Sequence, residues 1–158
     1  MAAGERSDRI SFVIGTLLLV LYVAQGWLEL EWQPLASVQA DLRYKVVSGG
    51  VLALYLLHQS LIARRRIFEP ITTLVRHKLA GAFAPLVLYL HASRFGYGYL
   101  LMLSLVFIGT VGLGLLHRPV MRAHARWVFT WWFVLHVATS ASLVVLAGYH
   151  AVIALAYE

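Results

Sequence analysis

Histidine is the residue of this chain best placed to do chemistry: there are seven, and the absence of cysteine removes thiolate ligands, disulfides and cysteine nucleophiles together. Their spacing is regular. His77 and His91 stand 14 residues apart, and so do His136 and His150. At about 100° per residue, such a step makes nearly four helical turns, placing both members of a pair on one face, ~21 Å apart along the axis. Histidine inside a membrane is costly, and marks a ligand, a proton path or a buried hydrogen bond.

Hydropathy identifies the elements that must carry these residues. The 158 residues are 61% hydrophobic and 13% charged, against about 25% charged in a soluble domain, and mean hydropathy is +0.77. A soluble globule is excluded. A spanning helix needs about 20 mostly apolar residues, and five stretches qualify, at about 10–28, 44–63, 71–93, 97–116 and 127–157. The expected fold is an all-α membrane protein, one integral domain over residues 1–158, with spans two to five forming a four-helix bundle and the first peripheral. The third stretch is short in apolar length. The fifth has 31 residues without a formal charge and must tilt or protrude. Pro85, midway between His77 and His91, predicts a bend and a carbonyl that a neighbour must satisfy. The opening MAAGERSDR has the outline of a secretory signal, but VAQGWLELEW offers a weak cleavage site, so an uncleaved first helix is expected.

Basic residues set the expected orientation. With the N-terminus inside, the cytoplasmic segments hold Arg6, Arg9, Arg64, Arg65, Arg66, Arg76, Lys78, Arg118, Arg122 and Arg126, leaving only Arg43, Lys45 and Arg94 outside. This predicts a cytoplasmic N-terminus and an external C-terminus in a bacterial inner membrane. It also accounts for the net charge of +6 without a nucleic-acid partner, since the arginines at 64–66 end an apolar helix.

One span separates the third from the fifth, so both run in the same direction and His77 can face His136 as His91 faces His150. Two imidazoles converging from separate helices suit the axial positions of a haem iron. Two such levels make two b haems, with His77, His91, His136 and His150 as ligands. Zinc would want four ligands at each level, and c-type attachment needs cysteine. Arg76 and Arg94, with Lys78, flank the third-span histidines and can pair with anionic propionates. Gly81, Gly109, Gly112, Gly114 and Gly148 allow a macrocycle, or another helix, to approach closely. Depth is less simple, because His136 lies ten residues, ~15 Å, beyond Arg126 whereas His77 adjoins Arg76. A second register pairs His91 with His136 and His77 with His124, at unequal spacings of 14 and 12. His58 could replace a ligand, carry a proton or bond to a neighbouring helix, the last being expected. His117 and His124 read as solvated loop residues. Thr130, Thr139 and Ser140 offer bonds between helices, and Trp127, Trp131 and Trp132 with Phe129 and Phe133 form an interfacial and core aromatic cluster.

The H-x13-H spacing on two helices separated by one span resembles the di-haem b cytochromes. These include the ferric reductase-like transmembrane family with its NADPH oxidase relatives, and the b subunits of quinol-oxidising complexes. The resemblance covers about residues 64–158 and rests on His77, His91, His136 and His150. It implies electron transfer across the membrane by two b haems. No flavin or nicotinamide motif accompanies it, so the donor or acceptor would be a separate redox protein or a quinone, with this chain the electron-transfer subunit of an oxidoreductase system or larger membrane complex. A single-haem cytochrome, a membrane scaffold or assembly subunit with packing histidines, and a histidine proton relay are the rival readings. The charge asymmetry makes a first prediction: an enzyme reporter active only outside the cytoplasm should be active when fused after Glu158 and inactive when fused in the 117–126 loop. The reverse pattern would overturn the orientation.

Overall fold

The apolar runs fold as helix throughout, each long enough to satisfy its own backbone hydrogen bonds in lipid. The computed structural model describes residues 2–65 and 70–157, without a strand among them. The described residues form seven helices in order: α1 Ala2–Trp27, α2 Gln33–Gln39, α3 Leu42–Arg65, α4 Pro70–His91, α5 Tyr99–Leu115, α6 His117–Arg122 and α7 Arg126–Tyr157. Arg66 lies outside the described residues, as do the side chains of Arg6, Arg64 and Arg65. The helices cluster into two compact units, Met1–Arg94 and Phe95–Glu158.

Among the described residues four helical stretches, not five, are long and apolar enough to cross a membrane: Ser7–Trp27, Leu42–Ala63, Tyr99–Arg122 and Arg126–Tyr157. The expected span at 71–93 does fold as a helix, α4, but Arg76, His77 and Lys78 interrupt its first half. Protein supplies what α4 lacks in hydropathy. It packs along both α1 and α3, and the most deeply buried side chains of the first unit include its Ala82, Ala84 and Pro85. Within the first unit α1 is a direct partner of α4: Asp8 of α1 receives Lys78 Nζ at 3.0 Å on each carboxylate oxygen. A paired ammonium is the form in which lysine is tolerated at membrane depth.

Steps of four and seven put Lys78, Ala82 and Pro85 on one face of α4, turned to α1 by that ion pair. Ala80, Ala84 and His91 share another face, toward α3, whose Tyr55 hydroxyl donates to the Ala80 carbonyl. That carbonyl immediately precedes the one Pro85 deprives of its helical donor, so the neighbour expected from the proline is present one residue early. The last turn of α4 is also capped from outside. Gln39 Nε2 donates to the Tyr89 and Leu90 carbonyls at 2.8 and 3.1 Å, and the Tyr44 hydroxyl to Leu90 at 2.7 Å, satisfying acceptors that a helix end leaves open. Gln39 Oε1 accepts from Ser93 Oγ at 2.7 Å.

In the second unit α5 packs on α7, with α6 closing the connection. Phe107 and Leu143 are its buried apolar residues. Gly96 precedes α5 at φ +75°, where an added Cβ would lie 2.6 Å from Leu100 Cβ; both the left-handed backbone and the contact require glycine. Long side chains such as Leu17, Leu54, Leu105 and Val145 stay more than half exposed along the spans, a surface that lipid rather than water covers. The tight α4 interface yields a stability prediction. Ala82 is 1% exposed, so Ala82→Leu should cost about 1–3 kcal/mol by overpacking. Phe83→Leu, at a position 39% exposed, should change stability by about 0.5 kcal/mol or less; unfolding in detergent measures both.

Candidate functional site

Both histidine pairs lie on continuous helices, His77 and His91 on α4 and His136 and His150 on α7. All four rings are half-buried, whereas His58 and His124 are exposed. Each unit holds its own pair.

His91 is the last residue of α4, so its position depends on the Gln39 and Tyr44 caps. Its ring lies directly on α3. Ser48 Oγ is 3.0 Å from His91 Nδ1, and a Cβ on Gly49 would come within 3.1 Å of Cε1. Any side chain at Gly49 would push against the imidazole, so glycine suits this close approach to the helix. Ser48 and Gly49 were not among the residues the sequence singled out; the signal was the SGG at 48–50 within an apolar span, since glycine weakens a helix unless a close contact needs it.

His77 lies one turn before Gly81 on the same face of α4, and a Cβ on Gly81 would meet nothing within 4 Å. Arg76 beside it is exposed. Lys78 pairs with Asp8. Arg94, beyond the other end of α4, pairs with Glu31.

On α7, His136 stacks on Trp132 with centroids 5.8 Å apart and planes 3° from parallel. A Cβ on Gly114 would lie 3.5 Å from its Cε1. His150 stands beside Tyr99 of α5, whose hydroxyl is 3.4 Å from Nδ1. The expectation for Gly148 changes: two residues from His150 is about 200° around the helix, and it is exposed with open space at its Cβ position.

His117 departs from the solvated reading. It is half-buried, edge-on to Trp132 at 5.4 Å. His124 is exposed in a left-handed turn with φ +50°. His58 is exposed on α3, and among the described residues it lacks the expected bond to a neighbouring helix. Thr130, Thr139 and Ser140 do not bridge helices but donate to carbonyls of Arg126, Leu135 and His136 on their own helix, at 2.9, 2.9 and 2.6 Å. Short hydroxyl side chains reach the preceding turn more readily than another helix. Trp127 and Trp131 are 70% and 62% exposed, while Trp132 is half-buried, dividing the aromatic cluster into outward and inward members.

No group of three or more His, Asp or Glu residues suited to a metal ion occurs among the described residues. A bis-imidazole haem needs only two per iron. The residues fit that group in donor chemistry, all nitrogen, and in the open backbone at Gly81 on the His77 face. Comparison with known proteins adds no relative: no family model, curated protein or solved structure matches the chain.

The seat of His91 can be tested directly. Gly49→Leu should destabilise the protein by about 1–3 kcal/mol through overpacking against the imidazole. Gly50→Leu, where an added Cβ meets nothing within 4 Å, should leave the melting temperature unchanged or raised. Equal effects at the two positions would overturn the assignment.

Proposed function

We propose that the chain is a b-type cytochrome that moves electrons across a membrane. The observation that carries this reading is the equal 14-residue separation of two histidine pairs, each on one uninterrupted helix. Haem b would take His77 with His136 at one level and His91 with His150 at the other, a pairing drawn from the matched spacing. Bound haem supplies reversible one-electron reduction of iron.

The remaining work belongs to the protein. In the tautomer that leaves Nε2 free as a ligand, His91 Nδ1–H would donate a hydrogen bond to Ser48 Oγ and His150 Nδ1–H to the Tyr99 hydroxyl, a common outer-shell arrangement for ligating histidine. Arg76, with Arg94 beside its Glu31 partner, provides positive charge for propionates. A separate redox protein or a quinone gives and takes the electrons, which makes the chain an electron-transfer subunit of an oxidoreductase system in the inner membrane, oriented by its basic residues.

The same contacts also favour a second reading, a membrane scaffold whose histidines are packing residues. Absorbance separates the two. Purified protein should show a reduced-minus-oxidised b-haem spectrum with two haems per chain by pyridine haemochrome. His91→Ala or His150→Ala should remove one haem and retain the other. A folded but colourless preparation would sink the cytochrome reading, and loss of both haems or neither would refute the pairing.

A further inference from the structure

Trp132 and His136 are separated by four residues on α7, the spacing that places side chains over one another on a helix face. Stacking alone would leave the imidazole loosely defined, because torsion about the bond from Cβ to the ring is broad and roughly two-fold. Here the stack is anchored. Trp132 Nε1 donates to the Leu113 carbonyl at 2.6 Å, in the last turn of α5, where carbonyls need partners from outside the helix. The next residue, Gly114, offers its bare backbone to His136. Consecutive positions of α5 thus lie beside the two rings of α7, the first through a hydrogen bond and the second without a side chain between. His117 meets the indole edge-on, with planes 66° apart, and Phe129 lies 5.8 Å from it.

We propose that Trp132 is the positioning residue of His136: its indole, pinned to Leu113, sets the plane in which the His136 imidazole lies. As a statement about a haem ligand this rests on the cytochrome reading; as a statement about the side chain it does not. The indole covers one face of the imidazole, and a side chain at Gly114 would begin in van der Waals contact with its Cε1. Were His136 to hold a haem, the orientation of its ring would bear on the electronic state of the iron, and Trp132 would act on that centre without touching it.

The test uses the full chain in detergent with 15N-labelled histidine, before and after haem loading. In the haem-free protein the His136 ring-proton signals, assigned by their loss in His136→Ala, should carry an upfield displacement from the indole. Trp132→Leu should abolish this displacement. Trp132→Phe should retain a smaller one and is the readable variant if leucine prevents folding. Leu143→Ala, a buried position elsewhere on α7, should lower the melting temperature without moving these signals. In loaded protein, Trp132→Leu should change the low-spin ferric EPR g values of one centre and leave the other as it was. His136 signals indifferent to both Trp132 substitutions, or displaced equally by Leu143→Ala, would overturn the proposal. Displaced signals in a chain that takes up no haem would uphold the positioning role and refute the ligand assignment.

Discussion

The first unit depends on covering α4 with protein. A helix that carries Lys78 in its first half cannot leave that charge unpaired in hydrocarbon, where it would cost several kcal/mol. The Lys78 to Asp8 ion pair answers the constraint and fixes α1 as a neighbour. With α1 on one side and α3 on the other, small residues line both contacts: Ala82 and Pro85 share the Lys78 face, and Ala84 lies with Ala80 and His91. Lys78, one of the residues that weaken α4 as an independent span, is thereby what gives it a defined partner.

Its C-terminal end follows the same logic with neutral groups. Gln39, Tyr44 and Ser93 bond the final turn, and His91, the last helical residue, is seated by Ser48 and Gly49. A short helix and the start of the next thus serve a histidine about 50 residues further on. The second unit reaches a comparable result by other means, using aromatic stacking at His136 and a tyrosine hydroxyl at His150. His91 and His150 are held by hydroxyls of the adjoining helix, and His136 by an indole of its own helix that is itself bonded to α5.

Hydrogen bonding by short polar side chains is divided between two uses. Thr130, Thr139 and Ser140 return their hydroxyls to α7 itself, so they solubilise the side chain in lipid without joining helices. Trp132 and Tyr55 do join helices, each donating to a carbonyl of the neighbouring one. Reach explains the division: the Trp132 and Tyr55 rings carry their donors to the neighbouring helix, whereas the hydroxyls of Thr130, Thr139 and Ser140 find carbonyls of their own preceding turn first.

The sequence by itself determined the all-helical class, the positions of the long apolar helices and the face shared by each histidine pair, because these follow from chain-local hydropathy and the helical repeat. It also marked the 71–93 segment as poor in apolar length, though it did not reveal that α1 compensates, since Asp8 and Lys78 are 70 residues apart. Which glycine mattered was decided only by tertiary structure. Gly49 and Gly114 lie against imidazoles while Gly148 faces away, and a glycine's role depends on what approaches its missing Cβ. The same holds for His117, read as a loop residue until Trp132 is seen against its ring. Periodicity fixes the direction in which a side chain leaves its own helix; what that side chain meets is set by the packing of another.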